Sequence, residues 1–196
     1  MNNRDNPYTI ARPPIYFIII AFCVTISDLV GQSNTPNSKQ LDSSMIDLSK
    51  IDYTIFDSDS MKSSIFTKDY KTIIITKSDI IECEKLLKGY IEQYNIKGAK
   101  ELDSLKLYFK EVKHVPNIQL LEEQFNIDLE KYGRQYFLVQ APNKHKIMYV
   151  NCFCNPQNFD YRKNDWVSVM DGGNCYFQLE IDLTDKKIID FRENGA

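Results

Sequence analysis

The sequence of 196 residues is poor in the residue types on which several common functions depend. It has only two histidines, His114 and His145, and its paired cysteines have C-x-C spacing, so no closed set of four zinc ligands is present. It lacks the G-x-G-x-x-G, P-loop and G-x-S-x-G motifs. The net charge is −3, and acids alternate with lysines, which argues against a basic face for nucleic acid. We therefore expect no catalytic residues, no metal and no cofactor.

The residues that are present are sufficient for a folded core. Hydrophobic residues make up 43% of the chain and charged residues 26%, which is ordinary for a globular protein. Aromatic residues are plentiful, with 12 Tyr and 11 Phe against a single Trp. The length suits one domain with accessory segments.

Residues 1–31 have the pattern of a signal peptide. Two arginines precede an apolar run that begins at Ile15 and is closed by Asp28. The run is shorter than the roughly 20 residues that a membrane-spanning helix needs. Small residues follow at Gly31 and Ser33, where a signal peptidase would cleave. We therefore expect a periplasmic or secreted protein.

Two alternatives stay open for this segment: an uncleaved membrane anchor formed by residues 15–27, and a lipoprotein attached through Cys23. After cleavage, four cysteines would remain in an oxidising compartment, where disulfides persist. Residues 32–50 are rich in Ser, Asn and Gln, which predicts a flexible linker. Residues 51–196 are predicted to form a single α+β domain.

The central part of the chain changes from a strand pattern to a helix pattern. The run "YKTIIIT" (residues 70–76) predicts a buried strand. Thr76 or Ser78 can cap the helix that follows, and Gly98 is predicted to end it. One face of this helix is apolar: Ile80, Cys83, Leu87, Ile91 and Tyr94. Two weaker helical patterns come next, separated by Pro116.

From Arg134 the apolar period changes to two residues, which predicts strands. Four segments have this pattern: "RQYFLVQA", "KIMYVNCFC", "NCYFQLEIDL" and "KIIDF". The elements together predict an α+β fold with an antiparallel, four- to five-stranded sheet. Its helices would pack on one face, in a helix-gripping order β-α-α-β-β-β-β.

The segments "KYGRQYF", "YVNCFC" and "DGGNCYFQLEIDLTDKKIIDFRENGA" resemble the C-terminal part of small secreted proteins of Bacteroidota bacteria. The resemblance covers roughly the last third of the chain and the strand-helix unit at 70–98. It implies export and an α+β fold. It implies no activity, substrate or catalytic residue.

Cysteines and acids near the C-terminus are the residues whose chemistry could serve catalysis. A cysteine nucleophile needs a base close by, whereas Cys152 and Cys154 fall on the predicted core face of their strand, where a thiol is unreactive. Three acids lie in the loop at 156–173: Asp160, Asp165 and Asp171. Acids in a polar loop are usually solvated, and a hydrolase site in this loop is the alternative.

Cys154 and Cys175 are the candidate disulfide. Cys152 is about 6.6 Å from Cys154 along the strand, too far for these two to bond. Direct antiparallel pairing with Cys154 opposite Cys175 would match apolar residues on one face: Cys152 with Phe177, Val150 with Leu179, and Met148 with Ile181. A strand at "WVSVM" (166–170) between them would separate the cysteines by about 9.6 Å and prevent the bond. With the bond, Cys83 and Cys152 would be buried free thiols.

Five side chains share the predicted sheet face opposite the core: Tyr149, Asn151, Phe153, Tyr176 and Gln178. They are the candidate binding face, because exposed aromatic residues mark interaction surfaces. The alternative is cross-strand packing, or coverage of this face by the 156–170 loop or an N-terminal strand.

The expected function is that of an exported α+β domain without catalytic activity. Its partner would be an unknown protein or another component of the cell envelope, and not nucleic acid. Contact with the membrane would involve only the N-terminal segment, if it is uncleaved. A hydrolase, and an inhibitor or immunity-like protein that blocks a partner enzyme, are the alternative functions.

Overall fold

The computed structural model describes residues 46–56, 65–66, 69–113 and 117–194. These residues all belong to one compact unit, Ser43–Ala196. The predicted signal peptide, most of the predicted linker and His114 lie outside the described residues. None of the described helices is both long enough and apolar enough to span a membrane.

The described residues form a sheet with one long helix and one short helix. The strands are β1 (Tyr53–Phe56), β2 (Lys71–Thr72), β3 (Tyr132–Gln140), β4 (Lys146–Cys154), β5 (Gly173–Asp182) and β6 (Lys187–Asn194). The α-helices are α1 (Lys77–Glu111) and α2 (Ile118–Gln124). The expectation of a mixed α+β fold is thus confirmed.

The sheet has six strands in the order β1-β3-β4-β5-β6, and β2 pairs with the end of β3. Every pairing is antiparallel except that of β1, which runs parallel to β3. The prediction of a wholly antiparallel sheet is therefore wrong. β1 has only four residues and was not predicted, and the helical segment between β1 and β3 supplies the long crossover that parallel pairing requires.

The predicted buried strand at 70–76 is also largely wrong. Lys71 and Thr72 pair opposite Gln140 and Val139 at the end of β3, and the backbone N–H of Ile73 donates to the carbonyl of Leu138 at 3.3 Å. Farther along, the same edge of β3 is occupied by β1, so the rest of the segment has no free strand to join. Ile74 is consequently 87% exposed.

Helix α1 begins where the sequence predicts. Thr76 is its N-cap and forms a capping box with Asp79. The helix does not end at Gly98 but continues to Glu111, so the first of the two weaker helical patterns is part of α1. Gly98 is buried, and a Cβ atom built there would overlap the backbone carbonyl of Phe125. Glycine here serves close packing between α1 and the chain after α2 rather than helix termination.

Both faces of the sheet are covered. The apolar stripe of α1 packs on one face, in the larger core cluster with strand residues such as Tyr136, Val150 and Phe177. On the other face, a smaller cluster centred on Phe137 and Tyr149 includes aromatic side chains from outside the sheet.

Candidate binding cleft

Strands β4 and β5 pair directly, in the register that the sequence predicts. Cys152 lies opposite Phe177, Val150 opposite Leu179, and Met148 opposite Ile181. This pairing brings Cys154 and Cys175 to disulfide distance, with their Cα atoms 5.1 Å apart. Residues 166–170, considered as an intervening strand, have no strand structure.

The two other described cysteines, Cys83 on α1 and Cys152 on β4, are buried and free. Burial raises the pKa of both thiols, that of Cys152 to about 12 and that of Cys83 well above its ordinary value. The charge of Glu84 adds to the effect at Cys83. Thiols with such pKa values are unreactive at neutral pH.

The candidate binding face is covered by the chain segment that connects β4 to β5. Tyr149, Asn151 and Phe153 are buried, while Tyr176 and Gln178 are half-buried. The indole of Trp166 packs on Tyr149, and the ring of Phe159 packs edge-on against Phe153 and Tyr176. These five side chains therefore do not form an exposed aromatic surface; the alternative of coverage by this loop describes their placement.

Buried amides attach the same segment to the sheet. Gln135 donates to the carbonyls of Arg162 and Asp165 at 2.8 Å each, and accepts from the backbone N–H of Val167 at 2.9 Å. Asn151 donates to the carbonyl of Val167 at 2.8 Å. Polar groups on this face thus satisfy backbone atoms of the covering segment rather than a ligand.

The three acids of this loop do not converge. Asp160, Asp165 and Asp171 are all exposed, and Asp165 Oδ1 accepts the backbone N–H of Trp166 at 2.8 Å. This placement is that of solvated loop acids.

His145 is close to two acids that are distant in sequence. Its Nδ1 lies 2.7 Å from Asp182 Oδ2 and 3.7 Å from Asp185 Oδ2, and the potential ligand atoms lie within 4.8 Å of one another. The hydrogen bond to the Asp182 carboxylate raises the pKa of His145. The Lys187 ammonium donates to Asp185 at 2.8 Å, so a cation already pairs with this acid. The group links the turn before β4 to the turn after β5.

A buried charged cluster lies between α1 and β3. Arg134 Nε is 3.0 Å from Glu84 Oε1, an ion pair without hydrogen-bond geometry, and both side chains are 5% exposed. The Tyr136 hydroxyl donates to the same oxygen at 2.5 Å. Burial raises the pKa of Tyr136 well above its ordinary value, as does the charge of Glu84, so the hydroxyl stays protonated and can donate.

Glu84 and Arg134 of this cluster line a cleft of about 630 Å³, which we call the Glu84 cleft. We call the part of the cleft where these two buried side chains lie its base. The lining of the cleft comes from the chain before β1, from α1 and from the chain that leads into β3. Charged residues line much of it, and five aliphatic residues lie among them: Ile46, Ile51, Ile91, Ile127 and Leu129. A cleft in which apolar side chains lie beside buried polar groups has the elements of a ligand site.

A second cleft of about 740 Å³ lies beside Cys154 and Cys175. Two of the amides that line it are engaged within the protein. Asn95 exchanges hydrogen bonds with the backbone of Ile127, at 2.8 and 2.9 Å, and Asn174 donates to the carbonyl of Glu123 at 2.7 Å. Both amides thus satisfy backbone groups of the protein itself.

The Glu84 cluster is not among the residues that the sequence predicts as a site, although a signal for it is present. Glu84 follows Ile80 by four residues and precedes Ile91 by seven, so it lies within the apolar stripe of α1. A carboxylate in such a stripe needs a buried partner. That partner, Arg134, is 50 residues away, and only the fold brings the two together.

No protein-family model, curated protein or solved structure gives a significant match to this chain.

Proposed function

We propose that this protein is an exported, non-catalytic domain that binds a component of the cell envelope. Export is supported by the signal-peptide pattern of residues 1–31 and by the cysteine pair Cys154 and Cys175, because disulfides persist in oxidising compartments. A non-catalytic role is consistent with the high pKa values of the two free thiols and with the solvated acids of the 156–173 loop.

The observation that carries the binding role is the Glu84 cleft. Its base is a buried ion pair, and such pairs add little stability compared with apolar residues of similar volume. Beside this pair, the lining includes the half-buried aliphatic side chains of Ile51 and Leu129. Binding is therefore assigned to this cleft and not to the covered face around Tyr149.

Export is tested by N-terminal sequencing of the protein from its native host. We expect the mature chain to begin near Gly31–Asn34. Recovery of the intact Met1 end in the membrane fraction would support the anchor formed by residues 15–27 instead.

Binding is tested by incubating the immobilised mature protein with the envelope fraction of the same host. Leu129→Trp places a large ring in the Glu84 cleft, and Ile118→Trp is the matched control at an exposed position outside it. We expect the wild type and Ile118→Trp to retain the same envelope component and Leu129→Trp to lose it. Equal retention by all three proteins, or retention by none, would contradict the proposal.

A further inference from the structure

We propose that the Glu84 cleft binds a ligand that carries a primary ammonium group on an aliphatic body, an inference that rests on the proposed binding function. The ammonium would contact the Glu84 carboxylate at the base of the cleft. The aliphatic part would lie along the apolar walls.

The Glu84 carboxylate is prepared to accept a further donor. Its Oε1 is held by the Tyr136 hydroxyl and the Arg134 guanidinium, which fix the orientation of the group. Its Oε2 has no hydrogen bond with any residue that the structure describes, and the side chain lines the cleft although it is only 5% exposed. An oxygen of a largely buried carboxylate with a fixed orientation forms a strong, charge-assisted hydrogen bond with an ammonium group.

The buried guanidinium of Arg134 is not available to an anion. Its Nη1 donates to the carbonyl of Tyr132 at 2.7 Å and its Nη2 to the carbonyl of Leu129 at 3.0 Å. Its Nε faces Glu84. The positive charge at the base of the cleft is therefore already committed, which argues against a carboxylate or phosphate ligand.

The charges that line the cleft favour a cation. Five are negative: Asp47, Glu84, Glu92, Asp128 and Glu130. Three are positive: Lys50, Lys88 and Arg134. The sum is −2, or −1 if Lys131, which pairs with Asp128 at 3.3 Å from outside the lining, is counted. A net negative cleft raises the local concentration of cations.

The aliphatic walls set the form of the ligand body. Ile91 and Ile127 are buried, and Ile51 and Leu129 are half-buried, so a straight hydrocarbon chain can cover their remaining exposed surface. The ligand would then be an alkylammonium, such as the end of a lysine side chain or of a diamine.

The test compares three probes of equal length: hexylammonium, hexanol and hexanoate. Each is titrated at pH 7 into the mature exported protein, and binding is measured by calorimetry or by NMR shifts of the isoleucine methyl groups. We expect hexylammonium to bind at least tenfold more tightly than the other two. Glu84→Gln should lower the affinity for hexylammonium at least tenfold and change the affinity for hexanol less than threefold. Glu92 is an exposed acid of the same lining, and Glu92→Gln should change the affinity for hexylammonium less than threefold.

Equal binding of the three probes, or tighter binding of hexanoate, overturns the inference. If Glu84→Gln does not fold, Leu129→Trp takes its place, and hexylammonium binding that persists in this variant also overturns it. An envelope component lost on Leu129→Trp, together with no preference for hexylammonium, would leave the proposed function standing and remove only the ligand class. Equal retention of that component by all variants would remove the proposed function itself.

Discussion

At the scale of residues, Arg134 and Glu84 form an ion pair that is buried between α1 and β3. Moving these two charges from water into the protein interior costs free energy. Their mutual attraction offsets this cost, together with the hydrogen bonds to two backbone carbonyls and from Tyr136. The proximity of Glu84 holds the pKa of Arg134 above its ordinary value despite the opposing effect of burial. Arg134 is therefore charged in the folded protein.

Removal of one partner should leave the other charge uncompensated. We expect Arg134→Met to lower the free energy of unfolding by about 3–5 kcal/mol. The control is Arg192→Met, because Arg192 pairs with Glu180 and Asp190 at the surface and such pairs contribute about 0–1 kcal/mol. Urea denaturation at pH 7 measures both. Similar losses for the two variants would show that the buried pair has no special role in stability.

His145 should make stability depend on pH. Its pKa is raised by the hydrogen bond to Asp182, so its protonated form is favoured in the folded state. The stabilisation is fully present below the unfolded pKa of about 6.5 and is lost as the pH rises through the higher folded pKa. The melting temperature of the wild type should thus exceed that of His145→Asn at pH 6, and the difference should be smaller at pH 9. A difference in melting temperature that stays constant across this pH range would contradict a raised pKa of His145.

At the scale of elements, one glycine in α1 is required and another is not. A Cβ atom at Gly98 would overlap the Phe125 carbonyl, whereas a Cβ atom at Gly89 would meet no atom within 4 Å. Both lie inside the same 35-residue helix. The two positions therefore separate the packing effect of a methyl group from its effect on helix propensity.

Alanine at these positions should have opposite effects. We expect Gly89→Ala to stabilise the protein by about 0.5–1 kcal/mol, because glycine in a helix interior is unfavourable by this amount. Gly98→Ala should destabilise it by about 1–3 kcal/mol, since the added methyl group forces α1 away from Phe125. Guanidinium denaturation measures the free energy of unfolding of both variants. A Gly98→Ala variant that is more stable than the wild type would show that α1 and Phe125 are not in close contact in solution.

For the whole molecule, the cysteine pair Cys154 and Cys175 connects the ends of β4 and β5 and closes the segment between them. That segment covers the outer face of the sheet through Phe159, Trp166 and Val167. A bond at this position would therefore restrict the part of the chain on which coverage of that face depends.

The bond should contribute measurably to stability. The two cysteines are 21 residues apart, and the chain-entropy model predicts about 3 kcal/mol for a loop of this size. We expect a reductant to lower the free energy of unfolding of the exported wild type by this amount. The Cys154→Ser/Cys175→Ser variant should be insensitive to reductant. Non-reducing peptide mapping should recover the Cys154–Cys175 peptide, and either cysteine joined to Cys83 would refute the pairing.

Local patterns in the sequence determined several parts of this fold. The start of α1 follows from Thr76 and Asp79, since a capping box lies within four residues. The register of β4 and β5 follows from alternating apolar residues, because a slip by one residue would turn the whole apolar set outward. That register in turn brings Cys154 and Cys175 together.

Only the tertiary structure decided the features that depend on contacts distant in sequence. The four residues of β1 are too few for a reliable pattern and acquire strand structure by pairing with β3. Gly98 resembles a helix end in sequence, and the approach of Phe125 gives it another role. Glu84 and Arg134 form an ion pair although they are 50 residues apart in the sequence. Their proximity, and with it the Glu84 cleft, follows from the packing of α1 on the sheet.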